Sequence, residues 1–161
     1  MKRQISVANL VMLIGGVVTV LFSFFDFLDG GDSSWGSGYF PLATIPAILG
    51  LAMAAVCIME LLGTKLPAEV LTFNWRQIKF TWGVTAVAIM LSWLILDKHG
   101  TSLAIGAIMM LLGSIAMAAG ATMAILGKGT EMVNLGGGTT TPEPGTTPST
   151  PPPPPPPPPA V

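Results

Sequence analysis

Charge is scarce in this sequence. Charged residues make up 9% of its 161 positions, against roughly 25% in a typical soluble domain. The formal net charge is −1, which excludes the strong positive field with which a protein holds nucleic acid. There is a single cysteine, Cys57, inside an apolar run. It has no partner for an intramolecular disulfide and reads as a small apolar side chain. The single histidine, His99, belongs to no Cys/His cluster, so no zinc-ligand pattern is present. No nucleophile falls beside a base and an orienting group, and neither catalysis nor a cofactor is expected.

What the chain has instead is length of apolar sequence. Residues 102–126 carry no charge and consist mostly of Leu, Ile, Ala, Met and Gly. As a helix they would extend roughly 37 Å, more than the ~30 Å hydrocarbon core of a bilayer. Three further runs resemble this one, giving expected spans at about 5–25, 42–63, 80–96 and 102–126. The basic start, Lys2 and Arg3, before the first run suggests a signal peptide. The run is too long for one, however, and Asp26 to Asp29 offers no small-x-small cleavage site. The expected fold is therefore an all-α membrane protein, with four transmembrane helices forming two antiparallel hairpins over residues 1–128.

The connections are read by their composition. Residues 26–41 combine Asp26, Asp29 and Asp32 with Gly, Ser and the aromatics Trp35, Tyr39 and Phe40, as in a flexible linker at a membrane interface. Pro46 falls in the first turns of the second span, where its missing N–H is least costly. Glu60, near that span's end, is expected to reach water or Lys65. In the polar connection 64–79, Thr64 and Pro67 suggest the start of a short surface helix. Residues 97–101 read as a tight turn that makes the last two spans antiparallel neighbours.

Orientation follows from the basic residues. Lys2, Arg3, Lys65, Arg76, Lys79 and Lys128 fall on one side and only Lys98 on the other, where Asp26, Asp29, Asp32 and Asp97 also lie. By the positive-inside rule both ends and the central loop are cytoplasmic, in a plasma (inner) membrane. The outer aspartates with His99 suggest a hard-cation site, but their spacing matches no EF-hand loop and solvated charge is the simpler reading.

Three weaker signals remain. Small residues form stripes at Gly50 and Ala54 on the second span and at Ala116, Gly120 and Ala124 on the fourth. Such stripes let helices approach closely, and these are expected to face each other or another copy of the chain, within a homo-oligomer or a larger membrane complex. The hairpins also echo one another: Arg76-Gln77-Ile78 repeats Arg3-Gln4-Ile5, and Ala116-Met117-Ala118-Ala119 repeats Ala52-Met53-Ala54-Ala55. In the same register Met59 matches Met123, and Leu62-Gly63 matches Leu126-Gly127. Duplication and coincidence among few residue types both account for this.

Residues 129–161 form a Gly/Thr/Pro-rich tail, expected to be disordered. Within it Pro151, Pro152, Pro153, Pro154, Pro155, Pro156, Pro157, Pro158 and Pro159 follow without interruption. They would form a polyproline II rod of roughly 28 Å at ~3.1 Å per residue. Such a rod suits a cytoplasmic polyproline-binding protein, and equally a low-complexity extension without a binder.

The basic start, the Gly/Ser/Trp outer loop leading into Phe40-Pro41, the four spans and the proline-rich end resemble small four-span actinobacterial membrane proteins of unknown function with proline-rich tails. The likeness is one of architecture and carries no site residue across. The expected function is a non-catalytic interaction or scaffold module that presents its tail to a cytoplasmic partner. An accessory subunit of a larger membrane complex and a small transporter or channel are the alternatives.

Overall fold

The computed structural model describes residues 4–64, 66–67, 69–70, 72–95 and 102–134. Four helices dominate: α1 (Val7–Phe22), α2 (Ile45–Leu61), α3 (Trp75–Ile95) and α4 (Ile105–Ile125). Short strands flank them: β1 (Gln4–Ser6) before α1, β2 (Glu69–Val70) and β3 (Phe73–Asn74) before α3, and β4 (Met132–Asn134) after α4. The helices pack as a ring, α1 against α2, α2 against α3, α3 against α4 and α4 back against α1. The α1–α4 seam is the most extensive contact and α2–α3 the slightest of the four.

α3 and α4, at 21 residues each, are long and apolar enough to cross a membrane; α1 and α2 are apolar but shorter. Local chemistry sets those shorter lengths. Ile5 belongs to β1, so α1 starts only after Ser6, whose Oγ accepts from the Asn9 N–H at 3.3 Å. The N–H groups of Val7 and Ala8, which no helix carbonyl can reach, donate to Glu131 and Gly129 at 3.0 and 3.1 Å. Pro46 sits in the first turn of α2.

Between Thr64 and α3 the expected surface helix is replaced by a two-residue hairpin, Glu69 pairing with Asn74 and Val70 with Phe73. α3 then begins at Trp75, earlier than the span expected from about residue 80. The reason is a capping box: the Gln77 N–H donates to Asn74 Oδ1 at 2.9 Å, and Gln77 Oε1 accepts from the Asn74 N–H at 3.2 Å.

Glycines fix how close the helices come. Gly106, Gly113 and Gly120 recur every seventh residue along α4; the last two face the backbone of α1, and Gly106 faces the carbonyls of Phe22, Phe25 and Asp26 at and just past its end. A Cβ on Gly113 would lie 2.8 Å from the Gly15 carbonyl oxygen, and one on Gly120 2.8 Å from that of Ala8. Gly16 likewise abuts Gly50 on α2, and Gly83 of α3 abuts Ala118 on α4. A seven-residue repeat keeps one seam in register along two helices.

Burial is inverted relative to a soluble bundle. The buried apolar side chains of the helices are Ala, Met, Val and Cys, and among the described residues no leucine is buried. One cluster holds Met12, Met53, Cys57, Ala86, Met117 and Ala121; a second, towards the opposite end, holds Phe27, Ala43, Ala47, Met90, Ala107 and Met110. Large aliphatics point outward on every helix, for example Leu21, Leu51, Leu91 and Leu112.

The segment 23–44, which contains the expected flexible linker 26–41, is folded. Ser34 donates its hydroxyl to the Ser23 carbonyl at 2.9 Å, and the Thr44 hydroxyl donates to the Ser34 carbonyl at 2.7 Å. The Trp35 indole donates to Ser23 Oγ at 3.0 Å. All three hydroxyl residues are buried. A backbone bond from Phe27 to Asp32 closes the segment on itself, and bonds from Asp29 to Ser102 and from Ala104 to Phe27 tie it to the start of α4. Composition pointed to flexibility, but small hydroxyl side chains also satisfy backbone groups in compact turns.

Candidate functional site

The site lies where the C-terminal ends of α2 and α4 meet the N-terminal ends of α1 and α3. Three polar side chains from three helices converge there. Lys79 Nζ donates to Glu60 Oε2 at 2.6 Å and Oε1 at 2.7 Å, and to Asn9 Oδ1 at 3.3 Å. Asn9 Nδ2 in turn donates to Glu60 Oε2 at 2.8 Å. The amide thus bridges both members of the ion pair, donating to one and accepting from the other. The Lys79 side chain is 6% exposed and that of Glu60 28%.

Each position follows from its helix. Asn9 is in the first turn of α1, Glu60 in the last turn of α2, and Lys79 on the inward face of α3. Because the capping box starts α3 at Trp75, Lys79 lies inside the bundle and not in a loop. Glu60 therefore pairs with Lys79. The expected partner, Lys65, lies outside the described residues, as do Lys2, Arg3, Lys98 and the expected turn 97–101.

A cavity of about 250 Å³ opens beside the triad, lined by Ser6, Arg76, Lys128 and Thr130 as well as by Asn9, Glu60 and Lys79. Its apolar wall is Ala8 and Ala124, and Trp75 closes one side, its indole donating to the Pro67 carbonyl at 2.8 Å. A smaller cavity of about 130 Å³ adjoins it and shares Ser6, Asn9 and Glu60. β1 and β4 form part of this surround, pairing antiparallel with Gln4 opposite Asn134 and Ser6 opposite Met132. The chain thus stays folded beyond Lys128, where the tail was expected to begin.

The small-residue positions all belong to the bundle's interior. Gly50 meets Gly16 and Thr19 of α1, and Ala54 also lies beside Gly16. Gly120 meets Ala8 and Met12, and Ala116 meets Gly15. The stripes on α2 and α4 thus reach α1 and not each other. Ala124 packs against the Met12 cluster and lines the cavity. Gly106 and Gly113 fall outside any four-residue stripe; their signal in the sequence is the seven-residue repeat they share with Gly120. The nine prolines 151–159 lie outside the described residues.

Of the hairpin echoes, one has a structural cause. Gly63 and Gly127 both adopt positive φ, +73° and +67°, past the ends of α2 and α4. Thr64 N–H donates to Met59 at 3.0 Å and Lys128 N–H to Met123 at 2.9 Å, the same Schellman closure twice. The Arg-Gln-Ile echo diverges: Gln4-Ile5 is strand, whereas Gln77-Ile78 is helix.

At the opposite end, Asp29 accepts from the Ser102 hydroxyl and Asp26 is bridged through its backbone to Ser33. Among the described residues no three His, Cys, Asp or Glu side chains converge as a metal site would require. Asp97 and His99 lie outside those residues. No family model matches this chain, and no curated protein or solved structure matches it either.

Proposed function

We propose that this protein is a non-catalytic, four-span module of the plasma membrane that presents its proline-rich segment to a cytoplasmic partner. The observation that carries the reading is the pairing of β1 with β4. It holds the start of α1 together with Asn134, the residue after which the proline-rich segment follows in sequence, at the end that also carries Arg76 and Lys128.

The inverted burial supports a bilayer around all four helices, since each turns large aliphatics outward and small residues inward. α1 and α2 extend only about 24–26 Å as helices. Exposed Phe24, Phe25, Phe40 and Leu42 continue their apolar surface into the folded outer segment. The cations at the β1–β4 end support a cytoplasmic assignment for it.

Thr19 and Ser114, the buried hydroxyls mid-bundle, donate to Gly15 and Met110 of their own helices, both at 2.8 Å. That favours a structural interior over a conduction path. The small-residue stripes pack against α1, so they lend no support to an accessory subunit docking through them.

The test is an affinity pull-down from native membranes, comparing the full chain with one ending at Asn134, which keeps β4. A partner captured only by the full chain supports the reading. Identical partners for both forms reject it and move the function to the helices. Alkaline carbonate extraction of the same membranes checks the integral placement independently.

A further inference from the structure

We infer that the cavity beside the Asn9–Glu60–Lys79 triad is a binding site for a phosphate group, carried by an anionic lipid headgroup or by a soluble phosphate. Every Lys or Arg among the described residues lines it: Arg76, Lys79 and Lys128. They face a single lining carboxylate, Glu60, which is committed to Lys79. Among the described residues Arg76 and Lys128 have no acidic partner.

The placement of these cations needs a reason. Arg76 stands in the first turn of α3, where the helix dipole is positive and a cation is disfavoured, and no acidic residue shares that turn. Lys79, a turn further in, is compensated by Glu60. Among the described residues nothing compensates Arg76, and an anion in the cavity would supply that compensation.

The remaining lining suits the same ligand. Ser6 and Thr130 bring hydroxyl groups, and Ser6 Oγ, which accepts from the Asn9 N–H, keeps its own proton to donate. A volume of about 250 Å³ falls below the usual ~300–1,000 Å³ of sites for drug-sized molecules and suits a headgroup. Ala8 and Ala124 form an apolar wall between α1 and α4, along which an acyl chain would continue. The lipid source rests on the bilayer placement proposed above; the soluble source does not.

The full-length protein in detergent is titrated with dihexanoyl phosphatidylglycerol, dihexanoyl phosphatidylcholine and inorganic phosphate, with binding read by thermal shift and by native mass spectrometry. The variants are R76Q/K128Q, which removes two exposed cations, and R76K/K128R, which keeps both charges. Preferential binding of phosphatidylglycerol, weakened on the order of 30-fold in R76Q/K128Q and retained in R76K/K128R, establishes the site with a lipid source. The same pattern with inorganic phosphate, and no preference between the two lipids, establishes it with a soluble source, and is readable even if carbonate extraction removes the protein from membranes. Equal response of the parent and R76Q/K128Q to all three probes overturns the inference.

Discussion

Gly15 and Gly113 face each other so closely that neither has room for a methyl group. A Cβ on Gly15 would sit 2.6 Å from the Gly113 carbonyl oxygen, and one on Gly113 2.8 Å from that of Gly15. The neighbours are backbone, which cannot rotate aside as a side chain would. Gly15→Ala should therefore force α1 from α4 and destabilise the bundle by about 2–3 kcal/mol. Thermal unfolding in detergent measures this, with Gly38→Ala as the control, because a Cβ there meets nothing within 4 Å.

Lys79→Met leaves the Glu60 carboxylate facing Asn9 alone. Breaking a buried pair costs about 3–5 kcal/mol, and partial exposure of Glu60 places the expected loss nearer 2–3 kcal/mol. The double variant Lys79→Met with Glu60→Met should recover much of it, since no charge is then left unpaired. A double-mutant cycle on unfolding in detergent yields the coupling. Additive losses would show that the two residues act separately.

The folded segment 23–44 should exchange its amide hydrogens slowly. The N–H groups of Phe27, Asp29, Gly31 and Ser34 are all hydrogen-bonded to backbone carbonyls. Ser34→Ala removes the buried hydroxyl bond to Ser23, at a cost of about 1 kcal/mol. Hydrogen exchange followed by mass spectrometry should show protection across residues 23–44 and its loss in the variant. Fast exchange in the parent chain would mark the segment as loose.

Cys57 lies wholly buried among Met12, Met53 and Met117. N-ethylmaleimide should leave it unmodified in the native protein and label it fully after denaturation, because a buried thiol is shielded from the reagent. In Gly15→Ala the labelling rate should rise in step with the loss of stability. Mass spectrometry of intact protein reads both.

The four-helix plan was legible because long apolar runs have few other uses, and Pro46 was legible as a first-turn residue because a missing donor is harmless there. Glu60 could be seen near a helix end, but its partner could not. Lys79 looked like loop charge until the Asn74–Gln77 box moved the start of α3 upstream of it. That box was present in the sequence as Asn-x-x-Gln; apolar length alone had been used to place the helix. The cavity depends on Ser6, Arg76, Lys128 and Thr130 meeting from three separate stretches of the chain, and no local pattern encodes such a meeting. Strand β4 escaped notice because three residues, Met132 to Asn134, are too few to show a period.

The pairing of β1 with β4 also sets an order in time. Gln4 is synthesised before α1 to α4, and its partner Asn134 only after them. Until then the amides of Val7 and Ala8 lack the carbonyls of Glu131 and Gly129 that receive them. A chain stalled anywhere within α4 keeps an open strand edge beside its N-terminus, and an open edge is a template for mispairing. β4 thus acts as a latch: β1 is closed only once α4 has been passed, and a copy stalled before β4 differs chemically, at Gln4 to Ser6, from one that carries it.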